Sequence, residues 1–249
     1  MPARRILIVG ASSAVAAELA ALFAAEGAQL YLLGGRSVEK LEQRRVRLGA
    51  AVVGAETSDI DDLANNAGHV ERAIAALGGL DLAFVATGYL GDQLQSEADI
   101  SVAERIYRTN LLGVVSVLMP IANHFERVGG GQITVLSSVA ADRGRPRNYT
   151  YASAKAALNI YLEGVRSRLY VAGTCVQIVK LGPVDSPMTV DHPKNALFVQ
   201  PAQVARVLHR GILSRAGTFY APWFWSPIMW IVRNLPEWLF QRVRSVSGR

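Results

Sequence analysis

The amino-acid sequence predicts an α/β fold, in which a doubly wound, seven-stranded parallel sheet carries helices on both of its faces. Short, almost continuously apolar segments alternate with segments of helical periodicity as far as about residue 221. Strands that are buried on both faces of a parallel sheet have this composition. The chain has 249 residues, of which 51% are hydrophobic, and is therefore long and apolar enough to bury one large core.

The predicted elements follow one another as repeated strand–helix–strand units. Pro201 occupies an expected first helical position, and Gly27 and Gly173 follow expected helix ends. Such units build a Rossmann-like sheet with right-handed crossovers. The predicted strands are 4–10, 29–33, 51–56, 81–87, 132–137, 174–181 and 217–221. The predicted helices are 14–26, 38–48, 61–77, 101–127, 151–170 and 201–214.

The composition excludes several classes of protein. A charged fraction of only 18%, with the high apolar content, excludes intrinsic disorder. The single cysteine, Cys175, excludes an intrachain disulfide framework. The four histidines lack metal-ligand spacing, so we expect no metal site. Because the first apolar stretch is too short for a signal peptide or a membrane span, we expect a cytoplasmic protein.

The turn after the first predicted strand is rich in small residues. Small residues at such a turn let backbone N–H groups and a helix N-terminus approach a pyrophosphate. An ordinary strand–turn–helix that needs small residues only for packing is the alternative. Gly10 is the only glycine of this turn, and Ala14 and Ala16 fill later small positions.

The end of the second predicted strand bears on the choice of cofactor. It reads Gly34-Gly35-Arg36, with no acidic residue to hold a ribose 2′-hydroxyl. An arginine in this position can pair with a 2′-phosphate, so NADP(H) is favoured and NAD(H) is the alternative. Arg36 could instead stack on an adenine or face solvent.

A serine, a tyrosine and a lysine have the spacing of an acid–base site. The fifth predicted strand runs into Ser138, and Tyr151 and Lys155 follow on a predicted helix. Residues four apart share one face of a helix. A nearby ammonium stabilises a phenolate, so we expect Lys155 to lower the pKa of Tyr151 toward neutrality. A lone pair of this kind is more often a surface contact, but here it follows the expected order of elements.

The chain resembles the short-chain dehydrogenase/reductase family over roughly residues 4 to 221. The resemblance rests on the first turn, on Thr109-Asn110, on Ser138, on Tyr151 with Lys155, and on the loop 181–186. Two of the three glycines in the family's first turn are replaced by Ala14 and Ala16, which implies a tighter pyrophosphate contact. The cofactor-binding residues that the resemblance implies are Gly10, Ser12, Ser13, Val15, Arg36, Asp59, Ile60, Ala86, Thr87, Gly88, Tyr151, Lys155, Val184 and Ser186.

The resemblance also implies the chemistry. Tyr151 would protonate the alkoxide formed by hydride transfer to a carbonyl, or accept the proton in the reverse reaction. Ser138 would orient the carbonyl oxygen, and Lys155 would contact the nicotinamide ribose. Asn110 would hold a water that links Lys155 to solvent. The substrate would be a carbonyl or an alcohol, and the family commonly forms homo-oligomers.

Residues 222–249 differ in composition from the rest of the chain. They contain all four tryptophans, and the last 44 residues hold seven arginines but a single acidic residue, Glu237. A surface for nucleic acid would spread its charge more widely, so we expect no nucleic-acid partner. We predict a dinucleotide-binding catalytic domain over 1–221 and an aromatic, basic, amphipathic helical tail over 222–249. Such a tail is typical of an anchor on an anionic membrane, peripheral on the inner face.

Three arginines between the catalytic serine and tyrosine, Arg143, Arg145 and Arg147, could meet an anionic group of a substrate. A solvated loop or a subunit contact is the alternative. Residues 84–92 and the tail resemble a subgroup of the family, the keto-reductases of actinobacterial arabinan biosynthesis. That resemblance implies a polyprenyl-phosphate-linked keto-sugar such as decaprenylphosphoryl-2-keto-erythro-pentose, and a role in cell-wall biosynthesis.

Two other interpretations stay open. The protein could be a carbonyl reductase or alcohol dehydrogenase for a soluble substrate, with a tail that only joins subunits or caps the domain. It could also be a nucleotide-sensing module without turnover. The full set of Asn110, Ser138, Tyr151 and Lys155 favours an active enzyme over that module.

Overall fold

The computed structural model describes residues 4–190 and 193–242. A single seven-stranded sheet lies at its centre, with every strand parallel to its neighbours in the order β3-β2-β1-β4-β5-β6-β7. The predicted fold class is confirmed, and each predicted strand is present within a few residues. The strands are β1 (Arg5–Val9), β2 (Gln29–Gly34), β3 (Val52–Thr57), β4 (Leu82–Val85), β5 (Gly131–Ser138), β6 (Thr174–Leu181) and β7 (Thr218–Ala221).

Helices connect each pair of consecutive strands, and two further helices follow β7. The predicted helix 61–77 begins later, at Asn66, because the preceding residues form turns. The predicted helix 101–127 is divided into three parts. The α-helices are α1 (Ala14–Ala25), α2 (Val38–Leu48), α3 (Asn66–Leu77), α4 (Gln93–Ala98), α5 (Ile100–Tyr107), α6 (Gly113–Val128), α7 (Tyr149–Leu169), α8 (Pro201–Leu213), α9 (Trp225–Asn234) and α10 (Glu237–Arg242).

The core lies in two layers, one on each face of the sheet. Successive strand side chains point to opposite faces, so Leu7 and Val9 of β1 join one layer while Ile6 and Ile8 join the other. Helices α3, α6 and α7 cover the first layer, and α1, α2 and α8 cover the second. Because both faces are covered, the strands are apolar almost without interruption.

A π-helical segment, Arg108–Leu112, joins α5 to α6. The whole stretch 100–128 is the one helix, within the described residues, that is long and apolar enough to cross a membrane. Its apolar side chains, such as Val117 and Ile121, are buried against the sheet, as in a core helix of a folded domain. Single π-turns inside α-helices occur frequently at functional sites, and this one carries Asn110.

The tail forms two short amphipathic helices, α9 and α10, that pack beside β7 and the turn after β5. One side of the pair is buried with Val139 in a small apolar cluster of its own. Three of the four tryptophans face outward, with Trp223, Trp230 and Trp238 exposed by 75%, 68% and 62%. The buried tail residues are Trp225, Met229, Val232 and Phe240. The tail arginines Arg244 and Arg249 lie outside the described residues.

Candidate active site

A cleft opens at the carboxyl ends of the central strands. The chain leaves β1 toward β2 on one side and returns to β4 on the other, so the cleft lies at the point where the strand order reverses. Ligands of open α/β sheets bind in such crevices. The residues that line the cleft are Val9, Gly10, Gly34, Gly35, Arg36, Ser58, Asp59, Ile60, Asp61, Thr87, Gly88, Tyr89, Arg105 and Thr109.

The turn after β1 depends on Gly10. Its φ is +81°, and a Cβ on it would lie 3.0 Å from the carbonyl carbon of Ala86 and the backbone nitrogen of Thr87. The strands on either side can approach this closely only because Gly10 lacks a side chain. Ser13 begins α1 without a side-chain capping bond, so the first N–H groups of the helix have no capping side chain.

Two of the residues expected to contact a dinucleotide have structural roles. The Ser12 hydroxyl accepts a hydrogen bond of 3.1 Å from the Gly35 backbone N–H, which ties the turns after β1 and β2 together. The side chain of Val15 is buried in the core under α1. For Val15, the prediction can therefore hold only through its backbone.

Arg36 and Asp59 meet at the far end of the cleft. The Arg36 guanidinium lies 3.2 Å from a carboxylate oxygen of Asp59, and both side chains are substantially exposed. The other Asp59 oxygen accepts from the backbone N–H of Asp61 at 3.1 Å. The carbonyl of Ile60 accepts from the side chain of Asn66 at 2.9 Å. An exposed ion pair of this kind is weak, so Arg36 can exchange Asp59 for a stronger anion.

Sequence reasoning missed several residues of the cleft. The Arg105 guanidinium stacks 4.7 Å from the ring centre of Tyr89, and Thr109 donates a 2.8 Å hydrogen bond to Asp61. All four line the cleft. No local motif marks them, because they come from the helical stretch 100–112 and from loops that only the fold brings together.

Lys155 is the most enclosed of the predicted catalytic residues that titrate. Its side chain is 2% exposed, and its Nζ donates to the carbonyls of Leu136 at 3.1 Å and Thr87 at 3.3 Å. The ammonium lies 6.0 Å from the ring centre of Tyr151. Burial lowers the pKa of Lys155 to about 8. Because Thr87 also lines the cleft, Lys155 connects the tyrosine to that cleft.

The Ser138 side chain lies beside the Tyr151 phenol and acts to lower its pKa. Burial raises the pKa of Tyr151 to about 12, while Ser138 lowers it by less. The predicted lowering of this pKa by Lys155 is therefore wrong for the structure described, because burial disfavours the phenolate and the ammonium stands 6.0 Å from the ring. The Ser138 oxygen also accepts from the Ala140 N–H at 3.1 Å.

Asn110 is fully buried, and its side chain is engaged by neighbouring backbone. It donates to the carbonyls of Tyr89 at 2.6 Å and Ile106 at 2.8 Å, and its Oδ1 accepts from the Tyr89 N–H at 3.1 Å. A Cβ on Gly88 would lie 3.4 Å from this oxygen and 3.7 Å from Lys155 Nζ. The bare backbone of Gly88 therefore leaves a small space between Asn110 and Lys155.

The loop after β6 places Val184 and Ser186 beside the end of the sheet. Val184 is buried and pairs with Val199 across an isolated bridge. Ser186 precedes a short 3₁₀ turn in which the Thr189 hydroxyl donates to the Val184 carbonyl at 2.6 Å. This loop is therefore held by contacts among its own residues.

Arg143, the first of the three loop arginines, is engaged by the tail in this structure. Its guanidinium donates to the carbonyls of Val232 at 2.7 Å and Leu235 at 2.6 Å, and pairs with Glu237 at 2.7 Å. It also stacks 3.8 Å from the ring centre of Phe240. Arg143 therefore fastens the tail to the catalytic loop.

A buried polar network joins the same loop to the sheet and the tail. Asp142 pairs with Lys180 of β6 and accepts a hydrogen bond of 2.8 Å from the Tyr220 hydroxyl of β7. Burial and the Asp142 carboxylate raise the pKa of Tyr220 to about 12, opposed in part by Arg233 of α9. These contacts bring the tail against the segment that follows Ser138.

The fold and the site together define the class of the protein: an α/β oxidoreductase with a Ser–Tyr–Lys group at the carboxyl edge of its sheet. The family model for short chain dehydrogenases matches residues 4–196. An uncharacterized oxidoreductase of Mycobacterium tuberculosis is 33% identical over 241 residues, which cover 96% of each chain. The chain therefore belongs to the short-chain dehydrogenase family.

Other relatives agree with this assignment. An uncharacterized oxidoreductase of Streptomyces coelicolor is 31% identical over 245 residues, which cover 97% of this chain and 96% of the relative. A short-chain dehydrogenase of Burkholderia cenocepacia, solved in complex with NADP, superposes with a TM-score of 0.82 at 20% identity over 97% of each chain. A variant of actinorhodin polyketide ketoreductase, solved with NADPH, has a TM-score of 0.77 at 20% identity over 87% of this chain and 95% of its own. At such identities these structures show the fold alone.

Proposed function

We propose that the protein is an NADP(H)-dependent reductase that acts on a carbonyl, with the alcohol oxidised in the reverse direction. One observation carries the proposal: Ser138, Tyr151 and Lys155 meet at the carboxyl edge of the sheet, and Lys155 bonds to Thr87 of the cleft. NADP(H) supplies the hydride when bound. The cofactor-bound relatives and the family membership support the same assignment.

The residues around the cleft fit a phosphorylated dinucleotide. The open backbone turn at Gly10 and the uncapped start of α1 suit a pyrophosphate. Arg36 suits a 2′-phosphate, because its present partner is only an exposed carboxylate. We assign Asp59 and Ile60 to the adenine, Ala86 to Gly88 to the ribose region, and Val184 and Ser186 to the nicotinamide.

Each of the acid–base residues then has its own role in the reaction. Tyr151 stays protonated at neutral pH because burial raises its pKa to about 12, so it can donate a proton to the developing alkoxide. Ser138 orients the carbonyl oxygen. Lys155 uses two of its three N–H donors on backbone carbonyls, and we assign the third to the nicotinamide ribose. We place the water predicted beside Asn110 in the space left by Gly88.

A fluorescence titration of NADPH and NADH tests the cofactor. Wild type should bind NADPH more tightly, and Arg36→Ala should weaken NADPH by about tenfold or more while leaving NADH nearly unchanged. Arg47→Ala is the matched control, because Arg47 pairs with Glu18 on the helices. An equal loss of affinity for NADPH and NADH would show that Arg36 stacks on the cofactor and does not bind the 2′-phosphate. Failure of wild type to bind either cofactor would favour the nucleotide-sensing or other non-catalytic module.

For the substrate we propose a lipid-linked keto-sugar, of the polyprenyl-phosphate type, reached at the inner face of the cell membrane. The outward side of the tail supports this, because Trp223, Trp230 and Trp238 are exposed beside Arg233 and Arg242. Indoles and arginines together suit the interface of an anionic bilayer. The tail also contacts the catalytic loop, so a membrane-bound tail would bring the site close to lipid.

Vesicle co-sedimentation separates this proposal from the alternative of a soluble substrate. Wild type should sediment with vesicles that contain an anionic lipid, and much less with neutral vesicles. A triple variant, Trp223→Ser, Trp230→Ser and Trp238→Ser, should stay in the supernatant while keeping its NADPH affinity. If wild type does not sediment with vesicles, its mass is compared with that of the triple variant by analytical ultracentrifugation. A difference in mass between the two would show that the tail joins subunits of a homo-oligomer.

A further inference from the structure

Arg145 is a partly buried cation whose Nε has no hydrogen-bond partner among the described residues. It lies midway in the loop between Ser138 and Tyr151, and its Nε is buried with no hydrogen bond. No ion pair or ring contact to its guanidinium occurs among residues 4–190 and 193–242. Burial, reinforced by Arg147, lowers the pKa of Arg145. A buried charge costs free energy unless an opposite charge or a hydrogen-bond acceptor meets it.

The neighbouring charges do not meet this need. The guanidinium of Arg143 is already bonded to residues of the tail. The Asp142 carboxylate raises the pKa of Arg145 in part. Its two oxygens, however, bond to Lys180 and to Tyr220. The charge of Arg145 is therefore available to an anion that is not part of the described chain.

A second orphaned donor lies on the tail side of the same region. The side chain of Trp225 is 6% exposed, and its Nε1 has no hydrogen-bond partner. Its indole packs so closely on Gly182, at the end of β6, that a Cβ there would overlap it. Trp225 also shares a cluster with Val139, the residue directly after Ser138. Two elements around the substrate side thus each carry a buried N–H without an acceptor.

We infer that Arg145 forms an oxyanion subsite in the substrate pocket, so that the carbonyl substrate carries a phosphate or carboxylate group. The Trp225 indole N–H is the second donor on that side. The inference rests on the proposed function, because it assigns this side of the site to the substrate. Arg guanidinium groups bind both kinds of oxyanion through their planar N–H donors.

Thermal unfolding in exchanged anions tests the subsite without turnover. The NADPH-saturated protein is compared in chloride and in inorganic phosphate at equal ionic strength, with the cofactor blocking the cleft at Arg36. The midpoint of wild type should rise in phosphate by about 3 °C more than that of Arg145→Met. Arg147→Met should respond as wild type does. Acetate in place of phosphate shows whether a carboxylate is accepted equally.

Two results would overturn the inference. One is an equal response of wild type and Arg145→Met to phosphate. The other is a lower midpoint of Arg145→Met in chloride, because removal of an unpaired buried charge should leave the midpoint unchanged or raise it. If NADPH does not bind, the proposed function fails by itself, and Arg36→Ala protein without cofactor then gives the same anion comparison.

Discussion

The side of the site that we assign to the cofactor, around Gly10, and the side that we assign to the substrate, around Arg143, are built in different ways. Around Gly10 the cleft consists mostly of backbone and small residues at the ends of neighbouring strands. Around Arg143 the wall consists of long side chains that join segments distant in the sequence, such as Arg143 and Glu237. A parallel sheet brings its strand ends together by itself, whereas the wall needs specific long-range contacts. The first side therefore follows from the sheet itself, and the second depends on contacts between particular side chains.

The largest effect is expected from a substitution that removes the proton donor and leaves both sides of the site unchanged. Tyr151→Phe should lower turnover by roughly 10²–10⁴-fold, because the proton donor is lost. Its NADPH affinity should stay near that of wild type. Steady-state rates on an accepted carbonyl and a cofactor titration measure the two effects. Turnover within a few fold of wild type would remove Tyr151 from the mechanism.

On the substrate side, Arg143→Ala should release the tail. The substitution leaves two backbone carbonyls without their donor and removes the stacking on Phe240. The free energy of unfolding should fall by about 1–3 kcal/mol, and proteolysis near residue 222 should become faster. Arg36→Ala is the matched control from the cofactor side, because its exposed ion pair contributes little. Equal stability of the two variants would contradict the fastening role.

On the cofactor side, Gly10→Ala should weaken the cleft. A Cβ at φ +81° would press on the backbone of Ala86 and Thr87, and such strain costs about 1–3 kcal/mol. We expect a lower unfolding midpoint and weaker NADPH binding. Gly35 lines the same cleft, but a Cβ on it would lie 3.8 Å from the Ser12 hydroxyl. The variant Gly35→Ala should therefore be tolerated. Similar losses in both variants would show that any added methyl group blocks the cleft.

A pH dependence of stability should come from Lys155. Burial lowers its pKa to about 8 from an ordinary 10.5, so between these values the unfolded chain binds more protons than the folded one. The free energy of unfolding should therefore gain a rising contribution from pH 8 to pH 10. Above pH 10 the raised pKa of Tyr151 acts in the opposite direction. Denaturant unfolding of wild type and Lys155→Met should differ in this slope, and identical slopes would refute the assignment.

Much of the fold could be predicted because its signals are local. The apolar strands, the alternating helices and the small residues at Gly10 each express a rule about neighbours in the chain. The spacing of Tyr151 and Lys155 is local in the same sense. The pKa of Tyr151 was predicted in the wrong direction, because a spacing of four residues fixes a shared helix face but says nothing about burial.

Local patterns in the sequence are enough to predict the sheet, the order of its elements and the positions of Ser138, Tyr151 and Lys155 along the chain. The packing of distant elements settles which loop arginine holds the tail and which has an Nε without a partner. It also decided that Asn110 stands in a π-helical segment with its amide engaged by Tyr89 and Ile106. The physical reason is that periodicity records which residues are buried, whereas hydrogen-bond partners across some 90 residues depend on how distant elements pack.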